Sequence, residues 1–160
     1  MTQRLAFFDA KPYDQKSFNE MNQNFGFAIS YFETKLNAQT AELAAGYDGV
    51  CVFVNDDLNG SVIDKLVTGG TKIIGLRCAG YNNVDFKSSY GRIHVVRVPA
   101  YSPYAVAEHA TAMMLTLNRK THKAWMRTRE GNFSINGLLG FDMFGRTAGV
   151  IGTGKIARCL

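Results

Sequence analysis

The sequence predicts an α/β fold in which a doubly wound parallel sheet carries helices on its faces. Two observations favour this fold. Over the first hundred residues, short apolar segments alternate with segments of helical character, as they do in βαβ units. The segment Gly-Val-Cys-Val-Phe-Val at residues 49–54 is apolar without alternation, which is typical of a strand buried on both faces of a parallel sheet.

The predicted elements follow one another with short connections. Strands are expected at residues 4–8, 27–32, 49–54, 72–76 and 94–98. Helices are expected at residues 14–23, 38–45, 62–67 and 84–90. Gly46 closes the second of these helices, Ser61 caps the third, and Gly69 closes it. Pro99 ends the last strand.

The character of the sequence changes after residue 100. Ser102 is a good N-cap and Pro103 suits the first position of a helix. A long apolar-rich helix is expected at 104–117, and its continuation into the basic stretch that follows is left open. Glycines are frequent in 132–146, and Thr147 begins a further strand. We therefore expect two domains, residues 1–100 and 101–160.

The net charge of +5 arises entirely in residues 101–160, much of it in the segment 119–129. A basic stretch of this kind is most often the solvated face of a helix, so we expect no nucleic-acid partner. Binding to anionic lipid is disfavoured for the same reason. A positive field near a phosphate-bearing cofactor remains open.

The composition favours a cytoplasmic protein. No apolar run approaches the roughly 18 residues that a membrane helix needs, and the first residues do not resemble a signal peptide. We therefore expect no membrane association. Three cysteines, an odd number in no metal-binding spacing, indicate free thiols in a reducing compartment and no metal site.

Residues 148–157 have the pattern of a dinucleotide-binding loop. A short apolar strand precedes Gly152-Thr153-Gly154, and a helix begins after it. Such a turn lets backbone N–H groups approach a pyrophosphate closely. Ala157 stands where a third glycine is common. From this loop alone, cofactor binding and a strand–turn–helix without a ligand are about equally favoured.

Three further groups of residues are candidates for chemistry. The loop 77–85 follows a strand, and Ala79 and Gly80 leave backbone donors open to a small carboxylate. The alternative is a tight turn with Asp85 in the first turn of a helix. Asp56 and Asp57 are interpreted as solvated turn residues, and His109 as a structural residue of its helix.

Seven stretches in order resemble the D-isomer-specific 2-hydroxyacid dehydrogenases, and within them the bacterial fermentative D-lactate dehydrogenases. They lie at 53–57, 76–85, 96–103, 106–110, 117–119, 132–134 and 147–156. The resemblance implies a homo-oligomeric, two-domain enzyme that transfers hydride between NADH and pyruvate. It also implies a flavodoxin-like catalytic domain, followed here by the first strand, turn and helix of a truncated Rossmann domain.

The resemblance also assigns roles to particular residues. Ala79 and Gly80 would offer N–H groups to the substrate carboxylate, and Tyr101 and Phe53 would line the substrate pocket. Val106 would lie near the nicotinamide of NAD. The residues that would hold its pyrophosphate are Gly152, Gly154, Lys155 and Ile156.

The catalytic groups of the family are an Arg and a His–Glu pair, and the resemblance places all three beyond Leu160. We therefore expect the chain to be an N-terminal fragment that is inactive by itself. Two alternatives remain at this point. One is a family member that acts on a different 2-hydroxy acid, or on formate or phosphite. The other is a non-catalytic binding module that uses the basic helix.

Overall fold

The computed structural model describes residues 2–160 and divides into two compact units. The first unit ends at Tyr101, and the second is Ser102–Leu160. The division lies where the composition of the sequence changes. The assignment of these units to a substrate domain and the start of a cofactor domain stays a prediction.

The first unit is built on a five-stranded parallel sheet. Its strands are β1 (Arg4–Phe7), β2 (Ala28–Tyr31), β3 (Gly49–Val52), β4 (Ile73–Leu76) and β5 (His94–Arg97). All neighbouring strands are parallel, and their order is β2-β1-β3-β4-β5. This order, which is that of flavodoxin-like sheets, confirms the predicted fold class. The sheet changes its direction of growth between β1 and β3, where ligands of such sheets commonly bind.

The core of the first unit lies on the central strands and the helices against them. β3 is buried along most of its length, as its unbroken apolar sequence predicts. The largest fully buried side chains include Phe7, Phe8, Leu36, Leu58, Ile63, Leu66 and Ile74. This core fixes the carboxyl ends of the strands, where the loops of interest begin.

Three helices belong to the first unit and three to the second. The first three are α1 (Pro12–Asn22), α2 (Gly60–Thr68) and α3 (Phe86–Ser89). The second unit contains α4 (Pro103–Arg119), α5 (Thr121–Arg129) and α6 (Lys155–Cys159). Apart from the helix at 38–45, each helix expected from the sequence is present, with bounds shifted by a few residues.

The helix expected at 38–45 is wrong: the structure has a short 3₁₀ turn at Ala41–Ala44. Asn37 accounts for the difference, because its side-chain oxygen accepts the N–H groups of Gln39 at 2.8 Å and Thr40 at 3.1 Å. The hydroxyl of Thr40 in turn accepts the N–H of Asn37 at 2.9 Å. Local bonds of this kind compete with helical ones and leave only residues 41–44 for the turn.

The cap of α2 was also predicted two residues too late. Asn59, rather than Ser61, is the N-cap, and its side-chain oxygen accepts the N–H of Val62 at 3.1 Å. The hydroxyl of Ser61 donates to the same oxygen at 2.8 Å and so supports the cap from within the helix. The predicted closure at Gly69 is confirmed, since Gly69 is the C-cap.

The helix after Ser102 begins as predicted and ends at Arg119, two residues beyond the expected 104–117. The side chain of Ser102 accepts the N–H of Ala105 at 3.3 Å, and Pro103 occupies the first turn. A continuation of the same helix into the basic stretch, which the sequence left open, does not occur, because Lys120 takes a left-handed conformation with φ +51° and separates α4 from α5. Within the second unit, α4 contacts both α5 and α6.

The strand expected to begin at Thr147 is not formed in the structure. A strand needs a neighbour to pair its backbone N–H and C=O groups. No other strand occurs in the described second unit. The loop and helix after this segment are nevertheless present, with α6 beginning at Lys155.

Candidate active site

Two loops meet at the carboxyl edge of the sheet, one after β3 and one after β4. The side-chain amide of Asn83, in the second loop, donates to the carbonyl of Asp56 at 2.9 Å and to that of Phe53 at 3.3 Å. Leu58 and Val84 form a parallel bridge between the same two loops. The loop that contains Phe53 is therefore fixed against the loop that contains Ala79 and Gly80.

The backbone of the second loop presents unused donors. Among the hydrogen bonds of residues 2–160, none is donated by the N–H of Ala79 or of Gly80. Gly80 is exposed, and a Cβ added to it would meet no atom within 4 Å. Unpaired N–H groups at an open position are suited to bind a small anion. The geometry thus fits the predicted carboxylate site, while the role of these two residues stays a prediction.

Arg77, at the start of this loop, was not singled out from the sequence. Its guanidinium donates to the carbonyl oxygens of Phe8 at 3.0 Å and Asp9 at 3.3 Å, and lies 3.8 Å from the carboxylate of Asp14. The side chains of Arg77 and Asp14 are only 9% and 13% exposed. Arg77 therefore links the loop after β4 to the loop after β1. An arginine directly after an apolar strand was the available signal.

Cys51 lies in β3 close to Arg77. Burial raises the pKa of its thiol to about 11, and the positive charge of Arg77 opposes that rise. Cys51, Cys78 and Cys159 are all free thiols. Cys51 is therefore a protonated and poorly nucleophilic side chain near neutral pH.

The interpretation of both Asp56 and Asp57 as solvated turn residues is wrong for Asp56. Its side chain is buried, with the residue 2% exposed, and it accepts the N–H groups of Leu36 and Phe53. Burial raises the pKa of the Asp56 carboxyl. Asp57 is exposed and accepts the N–H of Asn59 at 2.9 Å, in agreement with the sequence interpretation.

Asp85 caps a helix. The sequence left open a tight turn with Asp85 in the first turn of a helix, and the observed position is one residue before that turn. It is the N-cap of α3, where its carboxylate accepts the N–H groups of Lys87 and Ser88. Hydrogen bonds from Ser88 hold the pKa of Asp85 below its usual value. The loop 77–85 thus has a structural anchor at its end as well as the unused donors of Ala79 and Gly80.

The remaining candidates for pocket residues lie on either side of the division between the units. Tyr101 is the last residue of the first unit and is 62% exposed. Val106 lies in α4 of the second unit and is partly exposed. Their roles in a substrate pocket and beside a nicotinamide remain predictions.

The glycine loop of the second unit has features that fit a pyrophosphate. Gly152 takes φ +105°, a conformation that side chains disfavour, and Gly154 is the N-cap of α6. Within residues 2–160, no hydrogen bond is donated by the N–H groups of Gly152, Thr153 or Gly154. A Cβ at Gly154 would enter open space. Lys155 and Ile156 form the first turn of α6 and are exposed.

The other chemical side chains are scattered. His94, His109 and His122 are exposed and lie on three different elements: β5, α4 and α5. Across residues 2–160 there is no group of three His, Cys, Asp or Glu side chains that could hold a metal ion. None of the helices in this range is long and apolar enough to cross a membrane.

Two arginines of the basic helix α5 make contacts within their own unit. The Arg127 guanidinium donates to the carbonyl oxygens of Asn136 at 2.6 Å and Ser134 at 3.4 Å. Arg129 lies over the ring of Trp125, 4.9 Å from its centre. These contacts support a helix face with local structural roles.

Comparison with known families decides what this arrangement is. A model described as D-isomer specific 2-hydroxyacid dehydrogenase, catalytic domain, matches residues 5–148. The chain belongs to this family. Its members are oxidoreductases, and the resemblance stated from the sequence is thereby confirmed.

Individual relatives agree with the family assignment. The chain is 53% identical over 154 residues to the D-lactate dehydrogenase of Escherichia coli, covering 96% of this chain and 47% of that protein. It is 51% identical over 162 residues to the 2-hydroxyacid dehydrogenase homolog 1 of Schizosaccharomyces pombe, covering 98% of this chain and 49% of the relative. The chain thus spans about half the length of the curated relatives it matches.

Solved structures of the family resemble this one closely. The apo-structure of the Escherichia coli D-lactate dehydrogenase matches with a TM-score of 0.92 and 51% identity, over 98% of this chain and 51% of that one. The Aquifex aeolicus D-lactate dehydrogenase, solved with NAD and lactic acid, matches with a TM-score of 0.75 and 28% identity, over 97% and 46% of the two chains.

Proposed function

We propose that the protein containing this chain is an NAD-dependent D-lactate dehydrogenase that reduces pyruvate to D-lactate. The observation that carries the proposal is the pair of unused N–H groups at Ala79 and Gly80, on the carboxyl edge of a flavodoxin-like sheet. The 53% identity to the Escherichia coli D-lactate dehydrogenase supports the choice of substrate. Because the chain spans about half of that relative, the activity is proposed for the whole protein, and residues 1–160 alone are expected to be inactive.

The first unit would hold the substrate by its carboxylate. The N–H groups of Ala79 and Gly80 would donate to the carboxylate oxygens, and hydrogen bonds to a charged acceptor are stronger than those between neutral groups. Phe53 and Tyr101 would line the pocket around the small substrate. These four residues would bind and orient the 2-keto acid.

The second unit would hold the cofactor. The free N–H groups around Gly152 and Gly154 would receive the pyrophosphate, with Lys155 and Ile156 in the helix turn that follows. Val106 would lie beside the nicotinamide. When bound, NADH supplies the hydride, and the protein supplies binding and orientation.

The carboxylate site is tested with two substitutions at one position in the full-length protein. Gly80→Pro removes the N–H donor, whereas Gly80→Ala keeps it and places a methyl group in open space. NADH oxidation with pyruvate is followed at steady state. We expect Gly80→Pro to raise KM for pyruvate by about tenfold or more, because one charge-assisted hydrogen bond is lost, and Gly80→Ala, which keeps the donor, to raise KM less than Gly80→Pro does. Equal effects of the two substitutions, or no turnover of 2-keto acids by the unmodified protein, would contradict the proposal.

A second candidate function is the reduction of a longer 2-keto acid. It is favoured by similarity to the D-2-hydroxyisocaproate dehydrogenase structure, with a TM-score of 0.78 and 28% identity. The same assay with pyruvate and with 2-ketoisocaproate separates the two candidates. A higher kcat/KM for pyruvate supports lactate as the product, and the reverse ranking supports the longer acid.

We also propose that the protein acts as a homo-oligomer in the cytoplasm, without nucleic acid or membrane partners. The three free thiols support a reducing compartment. The local contacts of Arg127 and Arg129 argue against a surface devoted to polyanions. Sedimentation of the full-length protein measures the oligomeric state, and fractionation of native cells measures the compartment.

A further inference from the structure

We propose that Arg97 is a positioning residue for the substrate carboxylate, because it holds the peptide group that presents the Gly80 N–H. The inference rests on the proposed function of that N–H and deepens it. Arg97 is the last residue of β5, the strand next to β4, whose carboxyl end leads into the loop of Ala79 and Gly80.

Arg97 is fixed against this loop by two contacts of its guanidinium. One nitrogen, Nη1, donates to the carbonyl oxygen of Ala79 at 2.6 Å. The guanidinium carbon lies 5.1 Å from the centre of the Tyr81 ring, within the range of a cation–π contact. The backbone adds a third link, since the N–H of Val98 donates to the carbonyl of Cys78 at 3.2 Å. The end of β5 therefore holds the loop at residues 78, 79 and 81.

The carbonyl of Ala79 and the N–H of Gly80 belong to the same peptide group. In a planar trans peptide these two groups point in opposite directions. An arginine bound to the carbonyl oxygen therefore lies on the side away from the N–H and leaves this donor free. The bond also fixes the rotation of the peptide group, and hence the direction in which the Gly80 N–H points.

The positive charge of Arg97 strengthens that donor. A cation at the carbonyl oxygen polarises the peptide group, which makes its N–H a better donor to an anion. No ion pair within residues 2–160 includes Arg97, so no carboxylate there neutralises its charge. The side chain is exposed, and its contribution to stability is therefore expected to be small.

The test uses Arg97→Met and Arg97→Lys in the full-length protein, with steady-state reduction of a 2-keto acid. Methionine has no donor, so KM for the keto acid is expected to rise by about fivefold or more while kcat changes less than about twofold, because carboxylate binding is lost equally from ground and transition states. Lysine retains a cation and a donor and is expected to restore part of the loss. Arg92→Met is the control. Arg92 lies two residues before β5 and pairs with Asp64, so this substitution should leave KM unchanged.

A double-mutant cycle separates positioning from a merely structural role. If Arg97 acts through the Gly80 N–H, Arg97→Met has little further effect on KM in a protein that already carries Gly80→Pro. Full additivity of the two substitutions, an unchanged KM in Arg97→Met, or a fall confined to kcat would overturn the inference. Absence of 2-keto acid turnover in the unmodified protein would instead overturn the proposed function, so the two failures are distinguishable.

Discussion

The carboxylate of Asp56 accepts the backbone N–H of Leu36 at 2.7 Å, although Leu36 precedes it by 20 positions. Its second oxygen accepts the N–H of Phe53. One buried side chain thus joins the loop after β3 to the segment that precedes the 3₁₀ turn. Because Phe53 is a proposed pocket residue, the hydrogen bond from its N–H to Asp56 helps to fix the edge of the candidate site.

Removal of the Asp56 carboxylate is expected to destabilise the protein. Asp56→Ala leaves one buried and one partly buried N–H group without an acceptor, and the free energy of unfolding should fall by about 2–4 kcal/mol. Urea unfolding followed by circular dichroism measures the change. Asp57→Ala is the matched control, because Asp57 is exposed, and it should cost less than about 1 kcal/mol. Equal losses for the two variants would contradict the role of burial.

The same carboxyl group predicts a pH dependence. Burial raises the pKa of Asp56 above its ordinary value of 3.8, so folding favours the protonated form. That favourable contribution is fully present below the unfolded-state pKa and is lost as pH rises through the folded-state pKa. The measurement compares the free energy of unfolding of the wild type with that of Asp56→Asn, which cannot titrate at this position. The wild-type value minus the variant value should fall as pH rises from 3.8, and it should become constant above the folded-state pKa. A difference that grows with pH in this range would refute the assignment.

The contacts of Arg77 predict a large effect from one arginine whose side chain is only 9% exposed. Arg77→Met removes two donors from the carbonyls of Phe8 and Asp9 and leaves Asp14 without its cation. We expect a loss of about 3–5 kcal/mol in the free energy of unfolding. Arg92→Met is the control: its ion pair with Asp64 is shorter, at 2.7 Å, but more exposed, and should be worth less than about 1 kcal/mol. A larger loss of unfolding free energy for the exposed Arg92–Asp64 pair would show that burial does not determine which of the two pairs contributes more to stability.

The sequence predicted the parts of the fold that depend on local pattern. The strand β3 and the helix cap at Ser102 could both be predicted, since each depends only on residues that are neighbours in the sequence. The candidate donors at Ala79 and Gly80 were found because the loop follows a predicted strand. Where local side-chain bonds interfere with a helix, as at Asn37 and Asn59, the expected bounds were wrong.

Other features depend on contacts that no local pattern records. The partners of Arg77 lie 68 and 69 positions away in the chain, and Asp56 binds a residue 20 positions away. A run of Asn-Asp-Asp has the composition of a turn, so only the fold shows that one of its carboxylates is buried. The strand expected at Thr147 fails for a related reason, because a strand forms only where a second strand accepts its hydrogen bonds.

The partly buried thiol of Cys51 predicts slow chemical modification. A pKa of about 11, compared with the ordinary 9.0, lowers the thiolate fraction near neutral pH by about 100-fold. Because thiolate is the nucleophile, Cys51 should be alkylated by iodoacetamide at least that much more slowly in the folded protein than in urea. Mass spectrometry of the labelled peptides measures both rates. Similar rates in the two states would mean that the fold neither shields the Cys51 thiol nor raises its pKa in solution.

The glycine loop predicts a loss of cofactor binding without a loss of stability. Gly154 has φ −71° and open space around its position, so Gly154→Ala should fold without strain. A methyl group there would nevertheless stand where the pyrophosphate must approach the backbone. We expect the Kd for NADH of the full-length protein to rise by about tenfold, with the melting temperature unchanged.

Gly149→Ala, also in open space but before the turn, is the control and should change Kd less than about twofold. Unchanged NADH binding in Gly154→Ala would remove this loop from the proposed cofactor site, while a lowered melting temperature would show that Gly154 is needed by the fold itself.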